Sequence, residues 1–306
     1  MDVPQITTLH PIGDVVAELR RNYPDVTHSS LRFLERKGLI DPTRTPGGHR
    51  LYSSTDIERI RQIKTWQSER LSLAEIRQRL TAQIGLGSPA SLVQRFLDAV
   101  LNSSPEASRL ILDADDLGMP LTQLFQDVLQ PVLTEVGERW ANGTLRVGQE
   151  HEVTEVVREL ITELALRHAH PHPSGQAILA TCVAGERHDL GLRMTVALLR
   201  AQGRIVHFLG ADVDARFLRE EVATRRPAVV LLSATLPDRL PAVKAAADAL
   251  RESASPRPFT VVLGGQVVRQ HGGELQQWGV VPAGDDDLAA ALATILSIPG
   301  SAESPQ

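Results

Sequence analysis

The chain lacks most of the features that mark an exported or membrane-spanning protein. Among its 306 residues there is one cysteine, Cys182, so no internal disulfide can form, and a reducing cytoplasm is the expected compartment. No run of about 18 apolar residues occurs, and the N-terminus has no charged segment followed by an apolar one. We therefore expect neither a membrane span nor export.

Length and charge indicate more than one domain. A chain of 306 residues is long for a single hydrophobic core and predicts two or three domains. The net charge of -5 is unevenly spread, because residues 1–80 carry 13 Lys/Arg against 10 Asp/Glu, which leaves -8 for the remainder. A basic head on an acidic body is typical of a nucleic-acid-binding module joined to another function.

Two short helices are predicted near the N-terminus. Apolar residues at helical spacing predict a helix over residues 12–19, and Thr27 is a suitable N-cap for a second helix over 29–37. Gly38 ends the second helix, because the left-handed backbone of a C-cap is least costly for glycine. Residues 1–10 show no periodicity and are expected to form a loose tail. The pattern predicts a helix-turn-helix.

A turn-rich hairpin over residues 41–52 follows, and a later helix begins at Ser72 with Glu75 as its capping partner. The combination of residues 31–40 with the hairpin sequence Pro-Gly-Gly-His-Arg-Leu-Tyr is highly specific. On these motifs, residues 12–80 resemble the DNA-binding domain of the MerR family. The resemblance implies a winged helix-turn-helix that binds operator double-stranded DNA.

In such a domain the second helix lies in the major groove and the hairpin contacts phosphate. The candidate DNA-binding residues are therefore four at the second helix and four around the hairpin: Thr27, His28, Ser30 and Arg32, and Arg44, His49, Arg50 and Tyr52. A single surface arginine, Arg32 or Arg36, can equally pair with Glu35 or with solvent.

A linker is predicted over residues 85–89, which separates a head at 1–84 from a helical domain at 88–170. Apolar residues recur at helical spacing between three breaks, which favours a four-helix bundle. The residues alone leave open a structural or dimerisation bundle. The tract of histidines and prolines at 168–173 is interpreted as a linker without a metal, since its prolines prevent helical spacing of the histidines.

One group of residues at a corner of the bundle is unusual. Trp140 is followed after nine residues by Glu150 and His151, across a glycine-containing turn. An indole, a carboxylate and an imidazole are costly to bury together unless each has a hydrogen-bond partner. From the residues alone, a tryptophan at the edge of the core beside solvated charges remains an open interpretation.

From residue 176 the pattern alternates between strands and helices. Strands are predicted at 176–182, 204–209, 228–233, 259–263 and more weakly at 280–282, with helices between them. The apolar runs do not alternate, which indicates a parallel sheet covered on both faces. A flavodoxin-like doubly wound domain at 174–299 and a disordered tail at 300–306 are expected, so the whole chain is multidomain, α and α/β.

Three loops at the carboxyl ends of these strands carry unusual residues: His188 beside Asp189, then Ser233 to Thr235, then Gly264-Gly265. Together with Glu186 and Gly191 they resemble the cobalamin-binding domain of corrinoid proteins, whose signature is Asp-x-His-x-x-Gly, Ser-x-Leu/Thr and Gly-Gly. The resemblance implies that Nε2 of His188 is the lower cobalt ligand. Glutamate replaces the family's aspartate at position 186, so Glu186 and Asp189 stay equal candidates for the partner of the second imidazole nitrogen.

The order of head, bundle and sheet domain over residues 12–295 resembles the CarH/LitR photoreceptor repressors. The resemblance implies that Trp140, Val147, Glu150 and His151 cap the upper face of adenosylcobalamin. It also implies a homotetramer on DNA in the dark, cleavage of the cobalt–carbon bond by light, and no enzymatic activity. The alternatives are a light-independent cobalamin sensor and a corrinoid methyl-transfer subunit.

One residue departs from that family. Its best-described member has a histidine directly after the tryptophan, which takes the upper cobalt position after photolysis, whereas this chain has Ala141. We expect illumination still to release the adenosyl group, but not to trap the same bis-histidine adduct through position 141. His151 is an open substitute.

Overall fold

The computed structural model describes residues 9–45, 48–104, 106–253, 258–283 and 287–298. The expected N-terminal tail up to residue 8, the hairpin tip at 46–47 and the C-terminal tail lie outside the described residues. The chain forms two compact units, Met1–Gly87 and Ser88–Gln306. Among the described residues, no helix has the length and apolarity that a membrane span requires.

The described residues of the first unit form, in chain order, β1 (Leu9–Pro11), α1 (Ile12–Leu19), α2 (His28–Arg36), β2 (Thr43–Arg44), β3 (Arg50–Ser53), α3 (Ser54–Ser68) and α4 (Leu73–Leu86). The three strands form an antiparallel sheet in the order β1-β3-β2. The helices enclose an apolar core with Leu31, Ile60 and Trp66 at its centre. The predicted winged helix-turn-helix is confirmed.

Local capping explains where these helices begin and end. The Thr27 hydroxyl accepts a hydrogen bond from Ser30 N at 3.1 Å, and Ser30 Oγ accepts one from Thr27 N at 2.8 Å. Gly38 has φ +67° directly after α2, as a helix C-cap requires. Ser72 and Glu75 form the predicted reciprocal cap at α4.

The expected loose tail is wrong at its end, because Leu9 and His10 belong to strand β1. His10 lies opposite Tyr52 in β3, so the N-terminal segment completes the sheet behind the hairpin. A three-residue strand shows no periodicity, and its partner is more than 40 positions away in the chain. The sequence pattern therefore gave no signal for it.

The second unit begins with helices α5 (Pro89–Leu101), α6 (Ala107–Asp116), α7 (Leu121–Gln123), α8 (Gln130–Ala141) and α9 (Val147–Arg167). A π-helical segment, Leu124–Leu129, joins α7 to α8, so the five helices make four rods. Phe96, Phe125 and Val153 are fully buried between them. The four-helix bundle is present as predicted, but the π-helical segment was not expected.

An α/β layer follows, with strands β4 (Ser174–Val183), β5 (Arg204–Val213), β6 (Val229–Ser233), β7 (Thr260–Gly264) and β8 (Val280–Pro282), and helices α10 (Leu190–Ala201), α11 (Ala215–Arg225), α12 (Leu240–Arg251), α13 (Val268–Gln277) and α14 (Leu288–Ser297). All five strands are parallel, in the order β5-β4-β6-β7-β8. This is the flavodoxin-like order, whose ligand crevice opens at the carboxyl edge where the order reverses. Here the reversal lies at β4, between β5 and β6.

The doubly wound sheet is thus confirmed, and every predicted strand is present. The division of the second unit into a bundle at 88–170 and a sheet domain at 174–299 stays a prediction, because these residues form one compact unit.

Candidate functional site

The loop after β4 is built around a buried carboxylate. The Glu186 side chain is fully buried. Its Oε1 accepts hydrogen bonds from His188 N at 2.9 Å and His188 Nδ1 at 2.6 Å. Its Oε2 accepts from the backbone N–H groups of Thr235 at 2.7 Å and Leu236 at 3.3 Å. Because those two residues follow β6, Glu186 joins the two loops on either side of the crevice.

These hydrogen bonds shift the pKa values of both side chains. Burial opposes ionisation of Glu186, but its hydrogen bonds with His188, Thr235 and Leu236 outweigh burial and lower its pKa to about 2. The hydrogen bond to Glu186 is the main cause of a raised pKa at His188. Since Nδ1 faces the carboxylate, Nε2 is the nitrogen left for a ligand, and 59% of the His188 side chain is exposed.

Asp189 has a different role from the one it shared with Glu186 in the sequence interpretation. Its carboxylate accepts hydrogen bonds from Arg158 Nη1 at 2.8 Å and Arg193 Nε at 2.7 Å, and only 5% of its side chain is exposed. Arg158 lies in α9, so this ion pair joins the bundle to the start of α10. Sequence reasoning missed Arg158, because nothing distinguishes it from other helical arginines near a glutamate, here Glu155.

The corner of the bundle presents large apolar side chains to the surface. Trp140 is 53% exposed and Val147 is 56% exposed. Glu150 accepts a hydrogen bond from Thr154 Oγ1 at 2.9 Å, and its other oxygen lies 2.9 Å from His151 Nδ1. Glu150 therefore stays partnered while Trp140 does not pack into the bundle core.

One residue of this corner, Glu150, lies within electrostatic reach of the His188 loop. The negative charge of Glu150 adds to the effect of Glu186 in raising the pKa of His188, so the bundle carboxylate lies within electrostatic reach of the imidazole. Arg158 is eight residues beyond Glu150 on α9, which separates them by about 12 Å along the helix axis. The Arg158–Asp189 pair thus joins helix α9 to the loop about two turns beyond Glu150.

The glycine and hydroxyl loops lie beside this site, with mixed roles. Ser233 is buried and stands opposite Gly264 in the sheet register. Gly265 has φ +98°, and a Cβ there would lie 2.3 Å from the carbonyl oxygen of Ala234, so the neighbouring loop requires glycine at this position. At Gly191 a Cβ would meet nothing within 4 Å, so no protein neighbour requires glycine there.

The donor set decides what kind of metal the site can hold. Among the described residues, no group of three or more His, Cys, Asp or Glu side chains could hold a metal ion. A protein site for zinc supplies three or four side-chain ligands, whereas this loop offers the imidazole of His188, whose Nδ1 is already bonded to Glu186. One exposed imidazole can supply a single ligand to a metal whose other ligands come from a bound macrocycle.

The DNA-reading surface is only partly as predicted. On α2, His28 and Arg32 are exposed, whereas the hydroxyls of Thr27 and Ser30 are engaged in the helix cap. His49, in the hairpin, is exposed.

The two predicted phosphate-binding arginines of the hairpin pair with α2. Arg44 Nη2 lies 2.6 Å from Glu35 Oε1, and Arg50 Nε lies 2.6 Å from Glu35 Oε2. Glu35 therefore joins both hairpin strands to α2.

Tyr52 corrects the predicted DNA contacts. Its side chain is fully buried in the head, and among the described residues its hydroxyl has no hydrogen-bond partner. In strand β3 alternate residues face opposite sides of the sheet, so Tyr52 points to the core and cannot contact phosphate in this conformation. The prediction of a phosphate contact at Tyr52 is wrong.

Comparison with known families matches all three parts of the chain. The MerR HTH family regulatory protein model matches residues 17–83. Two B12 binding domain models match residues 92–165 and 176–292, which are the bundle and the sheet. The monomethylamine corrinoid protein of Methanosarcina barkeri superposes with a TM-score of 0.59 at 18% identity, over 68% of this chain and 99% of its own, which shows a shared fold.

Two relatives extend over most of the chain. The HTH-type transcriptional repressor CarH of Myxococcus xanthus is 31% identical over 259 residues, covering 79% of this chain and 85% of that protein. The repressor CarA of the same organism is 32% identical over 257 residues, covering 80% and 84%. The chain therefore belongs to the family of the transcriptional repressors CarH and CarA, and is a cobalamin-binding, DNA-binding regulator of the MerR type rather than an enzyme.

Proposed function

We propose that this regulator binds adenosylcobalamin and releases operator DNA in response to light, acting as a repressor in the dark. The observation that carries the proposal is the imidazole of His188, whose Nδ1 is held by Glu186 while Nε2 faces outward. An imidazole fixed in one tautomer by a buried carboxylate is well suited to be the lower ligand of a cobalt macrocycle.

Different residues of the chain would contact the lower and the upper face of the cofactor. His188 would hold the cofactor from below, and Trp140, Val147, Glu150 and His151 would cover its upper side. Bound adenosylcobalamin supplies a cobalt–carbon bond that visible light cleaves. Trp140 and Val147 would bury apolar surface against the adenosyl group, so that its loss would remove the packing that holds the corner.

DNA release would follow from a change in assembly. Several heads held in one oligomer bind DNA with an avidity that a single head lacks, so dissolving the oligomer would release DNA without changing any head. We propose that the dark, adenosylcobalamin-bound protein is a homotetramer and that light dissolves it.

The experiment is size-exclusion chromatography with mass determination, on protein with adenosylcobalamin in darkness and after green light. We expect the tetramer mass in the dark and a smaller mass after illumination, with His188→Ala remaining small under both conditions. If the wild-type protein has the same mass in darkness and after green light, the proposal is wrong.

A light-independent cobalamin sensor is the second candidate, and Ala141 favours it. The position directly after Trp140 is Ala141, which has no imidazole to bind the upper position of cobalt after photolysis. His151 Nδ1 lies 2.9 Å from Glu150, which leaves its other nitrogen as a possible ligand. Operator affinity measured with adenosyl-, methyl- and hydroxocobalamin separates the two: equal affinities favour the light-independent sensor.

Ala141 also predicts how the illuminated protein behaves. We expect Ala141→His to change the absorption spectrum after illumination, and His151→Ala to leave the wild-type spectrum unchanged. A wild-type spectrum that His151→Ala alters after light would show instead that His151 substitutes for the missing histidine.

A further inference from the structure

An open groove of about 390 Å³ lies directly beside His188. Six residues line it: Gly185, Arg187, His188, Asp212, Leu236 and Arg239. It carries two guanidinium groups and one carboxylate, and that carboxylate, on Asp212, accepts a hydrogen bond from Gly185 N at 2.6 Å. The groove therefore has excess positive charge on the side of the imidazole that faces the β6 loop.

The Arg239 guanidinium packs closely against the backbone of Gly185 in this groove. Arg239 ends the short 3-10 turn Pro237–Arg239 that follows β6. Its Nη1 would lie 3.0 Å from a Cβ at Gly185, and Gly185 has φ +76°, so the guanidinium packs against backbone where a side chain would crowd it. Any larger residue at position 185 would therefore displace the arginine as well as strain the loop.

The guanidinium is incompletely partnered. Among the described residues its buried Nε has no hydrogen-bond partner. Its ion pair with the exposed Asp238 is long, at 3.6 Å. A buried, unpaired guanidinium donor is costly, and a planar fork of donors matches phosphate oxygens, so an anion entering the groove would satisfy it.

The chemistry of cobalamin supplies such an anion at this place. Its lower side carries a nucleotide joined through a phosphodiester. When a protein imidazole takes the lower position, the nucleotide must leave the ring beside that imidazole. We infer that Arg239 binds the phosphodiester of the nucleotide loop, so that the groove selects corrinoids with an intact loop. This inference rests on the proposed role of His188 as lower ligand.

Arg187 lines the same groove but is not held in the same way. Its side chain is exposed, and at the glycines of the described residues a Cβ would contact Arg239 but not Arg187. A fixed donor loses less conformational entropy on binding than a solvated one. Arg239 is accordingly the specificity-determining residue, and Arg187 adds only charge.

The test compares adenosylcobalamin with adenosylcobinamide, which lacks the nucleotide loop, by absorption titration in the dark. We expect Arg239→Gln to weaken adenosylcobalamin binding about tenfold or more, as for loss of a charge-assisted hydrogen bond, and to leave adenosylcobinamide binding unchanged. Arg219→Gln, on the exposed face of α11, should change neither. Equal losses for both ligands, or no loss for either, would overturn the inference.

Two further measurements keep the result interpretable. Thermal unfolding followed by circular dichroism checks that Arg239→Gln is folded, and Arg239→Lys, which keeps the charge without the planar fork, should bind adenosylcobalamin with intermediate affinity. If inorganic phosphate strengthens adenosylcobinamide binding by the wild type while Arg239→Gln binds adenosylcobalamin normally, Arg239 holds a free anion and the inference fails.

The His188→Ala variant distinguishes failure of the proposed function from failure of the inference about Arg239. If His188→Ala binds adenosylcobalamin with the same spectrum as the wild type, the lower-ligand role is wrong. If that spectrum depends on His188 and Arg239→Gln binds normally, only the inference about the nucleotide loop is wrong.

Discussion

Glu186 shows how one buried carboxylate can set both the chemistry and the geometry of a site. It holds the His188 imidazole with one oxygen and two backbone N–H groups of the next loop with the other. The change from the family's aspartate to glutamate adds one methylene, and the longer side chain still reaches both loops. The departure in sequence therefore leaves the imidazole with a carboxylate partner.

We predict that Glu186→Gln weakens adenosylcobalamin binding by about 10- to 100-fold, the usual cost of removing the partner of a ligating histidine. Each carboxylate oxygen accepts from two N–H groups, so the NH2 group of glutamine would face two donors and could accept from neither. Absorption titration in the dark measures the loss. Glu163→Gln, on the exposed side of α9, is the control, and equal affinities for Glu186→Gln and the wild type would contradict the prediction.

Sequence reasoning at single residues succeeded only where local chemistry is sufficient. It predicted the cap at Thr27, which is confirmed, and placed His188 on the loop after β4, because a helix start and a loop after a buried strand are local patterns. The role of His188 as a ligand stays a prediction. Sequence reasoning could not choose between Glu186 and Asp189, since both lie on one loop and only the fold brings the β6 loop to one of them. Tyr52 was misassigned because the hairpin sequence does not show which face of strand β3 packs on the core of the head.

Helix α9 is the element that connects the two halves of the site. It carries Glu150 at its first turn and Arg158 near its middle, and Arg158 pairs with the buried Asp189. The bundle and the sheet are therefore joined by an ion pair rather than by apolar packing alone. Removing one partner of such a pair leaves a charge without its counter-ion.

We predict that Asp189→Asn lowers the free energy of unfolding of the second unit by about 1 to 3 kcal/mol, less than for a fully buried pair because the arginines are partly exposed. Urea unfolding measures it. Asp116→Asn removes an exposed partner of Arg167 and should change stability by no more than about 0.5 kcal/mol. Equal effects of the two variants would show that Asp189 does not join the elements.

The other end of α9 carries a proton-dependent contact. His168 caps the helix, and its Nε2 lies 2.6 Å from Asp115 Oδ1. The hydrogen bond to Asp115 is the main cause of a raised pKa at His168, while the neighbouring Arg167 opposes it. Because the folded pKa exceeds the unfolded one, the stabilisation is complete below the unfolded pKa and is lost as pH rises through the folded pKa.

We predict that His168→Gln destabilises the second unit at about pH 5.5 by up to about 1 kcal/mol and has a smaller effect at about pH 8.5, since the partly exposed pair is screened. Urea unfolding at the two pH values measures the difference. His172→Gln, in the exposed linker, is the matched control. An equal effect of His168→Gln at both pH values would contradict the assignment.

At the scale of elements the sequence was informative wherever periodicity extends over many residues. All five parallel strands and the four rods of the bundle were predicted from it. The π-helical segment, Leu124–Leu129, could not be, because one extra residue per turn barely alters an apolar pattern. The strand β1 is too short to show any periodicity.

At the scale of the whole molecule, the division at Gly87 separates the DNA-binding unit from the unit that matches the cobalamin-binding families. The two units have separate cores, and the candidate cobalamin site lies entirely in the second. A ligand that binds one unit stabilises that unit by mass action and leaves the other unchanged unless the two are coupled.

We predict that calorimetry in the dark shows two unfolding transitions and that adenosylcobalamin raises the temperature of one. At a free ligand concentration 100 times Kd the gain is about 2.7 kcal/mol. His188→Ala should abolish the shift and leave both transitions in place. A single transition, or an equal rise of both, would show that the units unfold together.

The burial of Cys182 in β4 has a practical consequence for testing the proposed tetramer. Cys182 is the one cysteine of the chain, it is fully buried, and burial raises the pKa of its thiol to about 12. A thiol held in that state does not react readily with maleimides. A cysteine introduced on an exposed surface of the head would then be the single reactive labelling position. If the proposed tetramer forms, fluorescence energy transfer between its heads would report whether illumination separates them.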